Sequence, residues 1–195
     1  PEAIQLWRCL SHWLGGMGIV LLSIAILPVI GHGGMHLYRA EFSGAQSEKL
    51  KPRVIETVSA LGKIYIAITV ASFLTLSMSG MSYFEAICHS FSVAATGGFS
   101  TRDTSISSFS SPIIEYILIF FMLVSAISFV QHYRFWVERS PKDFWKDIEI
   151  RFFLLTIGFS TLILTIFAGD HLGDKFEPTF RATLFQISSI TTGTG

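Results

Sequence analysis

The sequence predicts an all-α membrane protein built from repeated units of helix, re-entrant loop and helix, and three observations carry that expectation. Half of the 195 residues are hydrophobic and 14% are charged, too few polar side chains to solvate the surface of a water-soluble domain. The apolar residues gather into long blocks at 13–30, 64–78, 113–129 and 152–168. With partly polar flanks each is long enough to cross or nearly cross a bilayer, since about 20 helical residues span roughly 30 Å. Two further apolar runs, 83–95 and 178–190, are too short to span, and each ends in a Gly/Thr cluster.

Residues 6–30 form the first expected helix. Gly15, Gly16 and Gly18 on it suit close approach of a neighbouring helix, because small residues let backbones meet. A connector over 31–53 follows, holding Arg39, Lys49, Lys51 and Arg53. The next helix is expected over 54–79, with a polar turn at 80–82, the short run 83–95 and the cluster Thr96-Gly97-Gly98-Phe99. A further spanning helix begins near Pro112, whose fixed φ and missing donor suit a helix start. The connector 131–151 holds Arg134, Arg139, Lys142, Lys146 and Arg151. Residues 150–168 then repeat the spanning helix, 169–177 the turn, 178–190 the short run, and Thr191-Thr192-Gly193-Thr194-Gly195 the cluster.

Aligning His89 with Gln186 places Ser92 on Ser189, Val93 on Ile190 and Gly98 on Gly195, a constant offset of 97 residues. The likeness lies in the order of pieces more than in identities. Three segments result: 1–46, a closing helix and connector of an earlier unit; 47–139, a complete unit; and 140–195, the first helix, short helix and loop of a third, cut short. With Pro1 close to a membrane segment and Gly195 inside a motif, an internal fragment of a longer protein is expected. The two Lys/Arg-rich connectors are expected on the cytoplasmic side by the positive-inside rule, which puts the loops at 80–112 and 169–181 outside.

Non-helical backbone at membrane depth must be buried in protein or line a water-filled path. Carbonyls lining such a path can replace the hydration shell of a cation, and glycine supplies the φ/ψ freedom that turning them inward needs. Ala95, Thr96, Gly97 and Gly98, with Thr191, Thr192, Gly193, Thr194 and Gly195, are the candidate ion-binding residues. The threonine hydroxyls either add oxygens or brace the loops from behind. Short helices entering from outside point their negative dipole ends at the membrane centre, which favours a cation. Arg102 and Asp103, beyond the first cluster, sit at the expected outer mouth as tuners of ion entry or as a solvated ion pair.

Other chemistries find little support. A net charge of zero gives no basic surface for nucleic acid. The six histidines lack HExxH-type metal spacing, and Cys9 and Cys88 read as small buried hydrophobes. A hydrolase built on Ser90 or Ser92 with His89 lacks a GxSxG elbow and a companion acid. Lys63 and Glu115 lie near enough to the interfaces to snorkel. A sodium-coupled carrier with broken helices would need inverted repeats, whereas both units run in parallel.

Several longer motifs carry a resemblance: Trp7-Arg8, then His12-Trp13-Leu14-Gly15-Gly16-Met17-Gly18-Ile19, Ala25-Ile26-Leu27-Pro28, Gly33-Gly34-Met35 and Tyr38-Arg39-Ala40-Glu41. With Pro52-Arg53, His89-Ser90-Phe91-Ser92 and the run from Ala95 to Asp103, the chain resembles bacterial Trk-type potassium uptake proteins, the TrkH branch of the Trk/Ktr/HKT superfamily. The resemblance implies four units around a pseudo-fourfold pore, one filter strand and one key glycine from each. Gly98 and Gly195 would be the key glycines of units two and three. It also implies K+ as the transported ion with no other cofactor, a homodimer in the bacterial inner membrane, and a cytosolic nucleotide-binding regulatory subunit. A sodium-coupled or sodium-permeable transporter of the same architecture is the alternative. His12 departs from the Gln that the family pattern leads one to expect.

Overall fold

The computed structural model describes residues 2–30, 47–137, 139, 141–172 and 176–195. Most of the connector expected over 31–53, and residues 173–175 of the turn expected over 169–177, therefore lie outside the described residues. Every regular element within them is helical. Helix α1 runs Glu2–Ile30, α2 Ser47–Met78, α3 Tyr83–Ala94, α4 Pro112–Ala126, α5 Phe129–Trp136, α6 Pro141–Lys146, α7 Ile148–Leu172 and α8 Phe176–Thr191. A short 3₁₀ turn at Ser105–Phe109 precedes α4.

Two helices, over Val58–Met78 and Ile148–Phe167, are long and apolar enough to cross a membrane among the described residues. On α7 the side chains of Phe152, Leu155, Phe159, Leu162 and Ile166 are all exposed. Their spacing of three and four residues makes them one continuous stripe, and a stripe that water would reject belongs against lipid or further helices. Helix α3, at 12 residues, is only about 18 Å long and cannot span.

Helix α2 is longer than its apolar block, beginning at Ser47 inside the expected connector, where Glu48, Lys49, Leu50 and Lys51 are good helix formers. It ends in a Schellman motif. Gly80 adopts φ +96, its N–H donates to the Ser77 carbonyl, and the Met81 N–H donates to that of Leu76. Met81 and Leu76 are both buried, the apolar contact that accompanies this cap. Two residues later Ser82 caps α3: its hydroxyl accepts from the Glu85 N–H and donates to the Glu85 carboxylate at 2.7 Å, a capping box. The chain thus reverses within four residues and sends α3 back along α2.

The block at 113–129 does not form one spanning helix. α4 stops at Ala126, Ile127 is extended, and α5 starts at Phe129. The His132 ring takes up the freed carbonyl of Val124 at 2.9 Å, so the break leaves that group satisfied. In the 131–151 connector, Gln131 bonds the Asp147 carboxylate, whose other oxygen accepts from the Glu149 N–H that opens α7.

The core lies where α2, α3, the 3₁₀ turn, α4 and α8 meet, on Leu76, Met81, Val93, Ile106, Ile114, Leu118, Phe121 and Met122, with Leu184 and Phe185 of α8 packed beside them. Helix α1 packs across α2 and α3, and α7 runs along α8. Consequently α2 and α7 each lead into a short helix, α3 or α8, that turns back beside its partner and ends in a glycine loop.

Candidate functional site: two facing glycine loops

The two short helices finish in the same way. At the end of α3 the Ala95 N–H donates to the Phe91 carbonyl and the Thr96 N–H to that of Val93, both at 3.1 Å. At the end of α8 the Thr192 N–H donates to Ser188 at 3.0 Å and the Gly193 N–H to Ile190 at 3.1 Å. Each pair is related by the 97-residue offset read from the sequence. The left-handed positions follow it too. Thr96 (φ 50) corresponds to Gly193 (φ 72), and Gly98 (φ 67) to Gly195 (φ 86). An αL conformation at a β-branched residue is costly, so Thr96 marks a loop held by its surroundings.

The loops meet at Gly98. A Cβ placed there would lie 1.9 Å from the Thr194 carbonyl oxygen and 3.0 Å from that of Gly195. Both obstacles are backbone, so no side chain fits. Gly98, Gly193 and Gly195 expose their backbone, whereas Thr194 is buried. The Thr192 and Thr194 hydroxyls hydrogen-bond each other at 2.8 Å, and Thr192 Oγ1 also accepts from the Thr194 N–H at 3.4 Å. These side chains brace the loop; they are not free oxygens turned outward. Thr191 closes α8 with its side chain exposed.

Arg102 is anchored instead of paired with Asp103. Its Nε donates to Glu85 at 2.7 Å, its Nη1 to the Ser108 carbonyl at 3.1 Å, and its guanidinium lies 4.0 Å from the centre of the Phe109 ring. Asp103 is exposed and makes no ion pair among the described residues. Burial tends to raise the Glu85 pKa, but Arg102 and the Ser82 hydroxyl outweigh it and hold the carboxyl below its ordinary value. A second ion pair docks α8 on α4: Arg181 Nε donates to Glu115 at 2.8 Å, and its Nη1 to Glu177. Glu115 therefore has a protein partner and does not snorkel alone.

His89 is buried with both ring nitrogens occupied, by the Glu85 carbonyl at 2.7 Å and Ser100 Oγ at 3.2 Å. The Ser90 hydroxyl donates to the Ile87 carbonyl. No nucleophile–base contact joins His89 to Ser90 or Ser92.

Sequence reasoning missed a row of contacts from α1. One face of that helix follows the first glycine loop upward: Gly16 against Ala95, His12 against Gly97, His12 and Arg8 against Phe99, and Gln5 donating to the Ser100 carbonyl. Trp13 anchors the helix, with its indole N–H on Thr69 Oγ1 and its carbonyl accepting from the Tyr65 hydroxyl, both at 3.0 Å. The spacing 5, 8, 12, 16 was the available signal. Of the three glycines expected to pack closely, Gly16 does so against Tyr65 and Ala95, while nothing described lies within 4 Å of a Cβ on Gly15 or Gly18. Cys9 and Cys88, both buried, touch each other across α1 and α3. Among the described residues no cluster of His, Cys, Asp and Glu could hold a metal.

Short helices that descend beside longer ones and end in facing glycine loops define an all-α membrane protein with re-entrant loops. Residues 1–169 match the TrkH family, described as a cation transport protein, and the chain belongs to that family. It is 42% identical over its whole length to the Trk system potassium uptake protein TrkH of Salmonella typhimurium and 44% to that of Halomonas elongata, covering 41% of each relative. It is 35% identical to the Trk system potassium uptake protein TrkG of Escherichia coli. The crystal structure of the potassium transporter TrkH from Vibrio parahaemolyticus superposes with a TM-score of 0.81 at 37% identity, covering 97% of this chain and 38% of that one. The chain thus spans about two fifths of the length of these relatives.

Proposed function

We propose that this chain supplies two adjacent staves of a potassium-selective filter, residues 95–98 and 191–195, in a transporter of the bacterial inner membrane. The observation that carries the reading is the contact at Gly98, where two loops of matching backbone bring glycine against carbonyl with no room for a side chain. Carbonyl oxygens so arranged substitute for the water around a monovalent cation without a fixed charge that would trap it. The C-terminal ends of α3 and α8 add a favourable dipole at the same place.

On this reading 47–139 is one complete pore unit, flanked by 1–46 from the unit before and 140–195 from the unit after. The 31–53 and 131–151 connectors face the cytoplasm, where their basic residues would meet a nucleotide-binding regulatory subunit, and the whole protein forms a homodimer. The Trk system names of the relatives support association with other Trk components. Arg102 acts from the mouth by fixing the start of α3, not by pairing with Asp103.

Flux into proteoliposomes under K+, Rb+ and Na+ gradients tests the reading. K+ and Rb+ should enter while Na+ is largely excluded. An equal Na+ flux would favour the sodium-permeable alternative, and no cation flux would count against transport altogether.

A further inference from the structure

We propose that His12 on α1 is a positioning residue for the first filter loop: its imidazole, packed on Gly97, sets where the loop's carbonyls stand and hence which cation fits. The inference rests on the filter reading above and adds a residue outside the loops to it.

The geometry is specific. A Cβ on Gly97 would lie 2.7 Å from His12 Nδ1 and 2.9 Å from Cε1, so the ring occupies the space that a side chain at 97 would need. The ring is held in turn by the edge of Phe99, with centroids 5.4 Å apart at 83°. Nδ1 is buried and has no hydrogen-bond partner among the described residues. A polar atom left unsatisfied in an enclosed place is costly, and helix α1 is fixed around it by Gly16 on Ala95 and Trp13 on Thr69. The Gly97 N–H is already committed to the Ser92 carbonyl at 2.6 Å. His12 therefore acts by contact from behind, on the residue next to Gly98, without touching the ion.

A wall of this kind acts on selectivity. If the backing is removed, Gly97 can retreat towards α1, the ring of carbonyls loosens, and discrimination by fit and field strength weakens. If the loop residue is enlarged instead, wall and loop collide.

The test compares His12→Ala, His12→Gln, Gly97→Ala and the double variant His12→Ala/Gly97→Ala in the intact protein, reading the K+/Na+ uptake ratio and the K+ KM in proteoliposomes alongside the amount inserted. His12→Ala should lower the ratio and raise KM several-fold at unchanged insertion. His12→Gln, which keeps a polar side chain of similar reach, should stay close to the parent. Gly97→Ala should be impaired, and the double variant should recover beyond either single change, since the new methyl refills the vacated space. Should His12→Ala insert poorly, the comparison of Gly97→Ala with the double variant and the result for His12→Gln still decide. Unchanged ratio and KM in His12→Ala, or a double variant no better than Gly97→Ala alone, would overturn the proposal. Loss of K+ selectivity in Gly98→Ala with no effect at His12 would sink this inference while leaving the filter reading intact.

Discussion

At Gly98 two constraints coincide: a positive φ, and a carbonyl oxygen where Cβ would stand. At Gly80 only the first applies, because its φ is +96 and nothing described lies within 4 Å of a Cβ there. Substituting alanine at each separates conformational strain from steric exclusion. Gly80→Ala should cost about 1–2 kcal/mol of stability, read as a lower midpoint of thermal aggregation, with K+ selectivity unchanged. Gly98→Ala should insert but lose selectivity, because the Thr194 carbonyl must move to admit the methyl. Equal behaviour of the two variants would contradict the contact between the loops. The glycines themselves were legible in the sequence, since only Gly tolerates such backbone cheaply. His12 was legible only in part: the spacing 5, 8, 12, 16 puts it on one face of α1, but which loop that face meets, more than eighty residues away, is set by packing that no local pattern encodes.

Among the elements, α3 and α8 are held near their N-terminal ends by ion pairs of different exposure. The Arg102 side chain is 41% exposed and that of Glu85 16%, so screening limits the pair to a few tenths up to about 1 kcal/mol. With the Glu85 pKa lowered on folding, this contribution is fully present above the ordinary carboxylate range and is lost as pH falls through the folded-state value. Glu85→Gln should therefore remove the acid-dependent part of the stability of the α3 start, seen as a flatter melting temperature against pH on the acid side. The pair between Arg181 and Glu115 is better shielded, with side chains 15% and 21% exposed. Arg181→Met leaves Glu115 without its donor, while the exposed Glu177 keeps the Tyr116 hydroxyl; it should cost about 1–3 kcal/mol, with hydrogen exchange rising first in α8. The short helices could be read from the sequence because an apolar run too short to span must turn back. The break between α4 and α5 could not, because only Ser125 and Ser128 interrupt the apolar block around Ile127 and Phe129, with neither Gly nor Pro to mark it. The His132 side chain that satisfies the break is a polar residue an expected connector would contain anyway.

For the whole molecule, α2–α3 and α7–α8 are two copies of one arrangement, alike at a fixed offset in the hydrogen bonds that close the short helices and in left-handed positions, and differing in the loop bond that follows, from Gly97 to Ser92 in one and from Gly195 to Ser189 in the other. Inside a bilayer the packing of helices gains little from transferring apolar groups out of lipid, so close backbone contact and satisfied polar groups hold such an assembly together. Gly16 on Ala95, Trp13 on Thr69 and Arg181 of α8 on Glu115 of α4 are contacts of that kind. The repeat is legible in the sequence as an order of pieces and a 97-residue offset with few shared identities; the matching left-handed backbones of Thr96 and Gly193 are a likeness that residue identity conceals.

If the loops at 95–98 and 191–195 coordinate the transported cation, it must be found among their carbonyls. Crystals of the intact protein grown with Rb+ or Tl+ in place of K+ should give an anomalous peak within coordination distance of the carbonyls of both loops, beside Gly98 and Thr194. Peaks elsewhere along the path, with none at these carbonyls at saturating cation, would contradict the account.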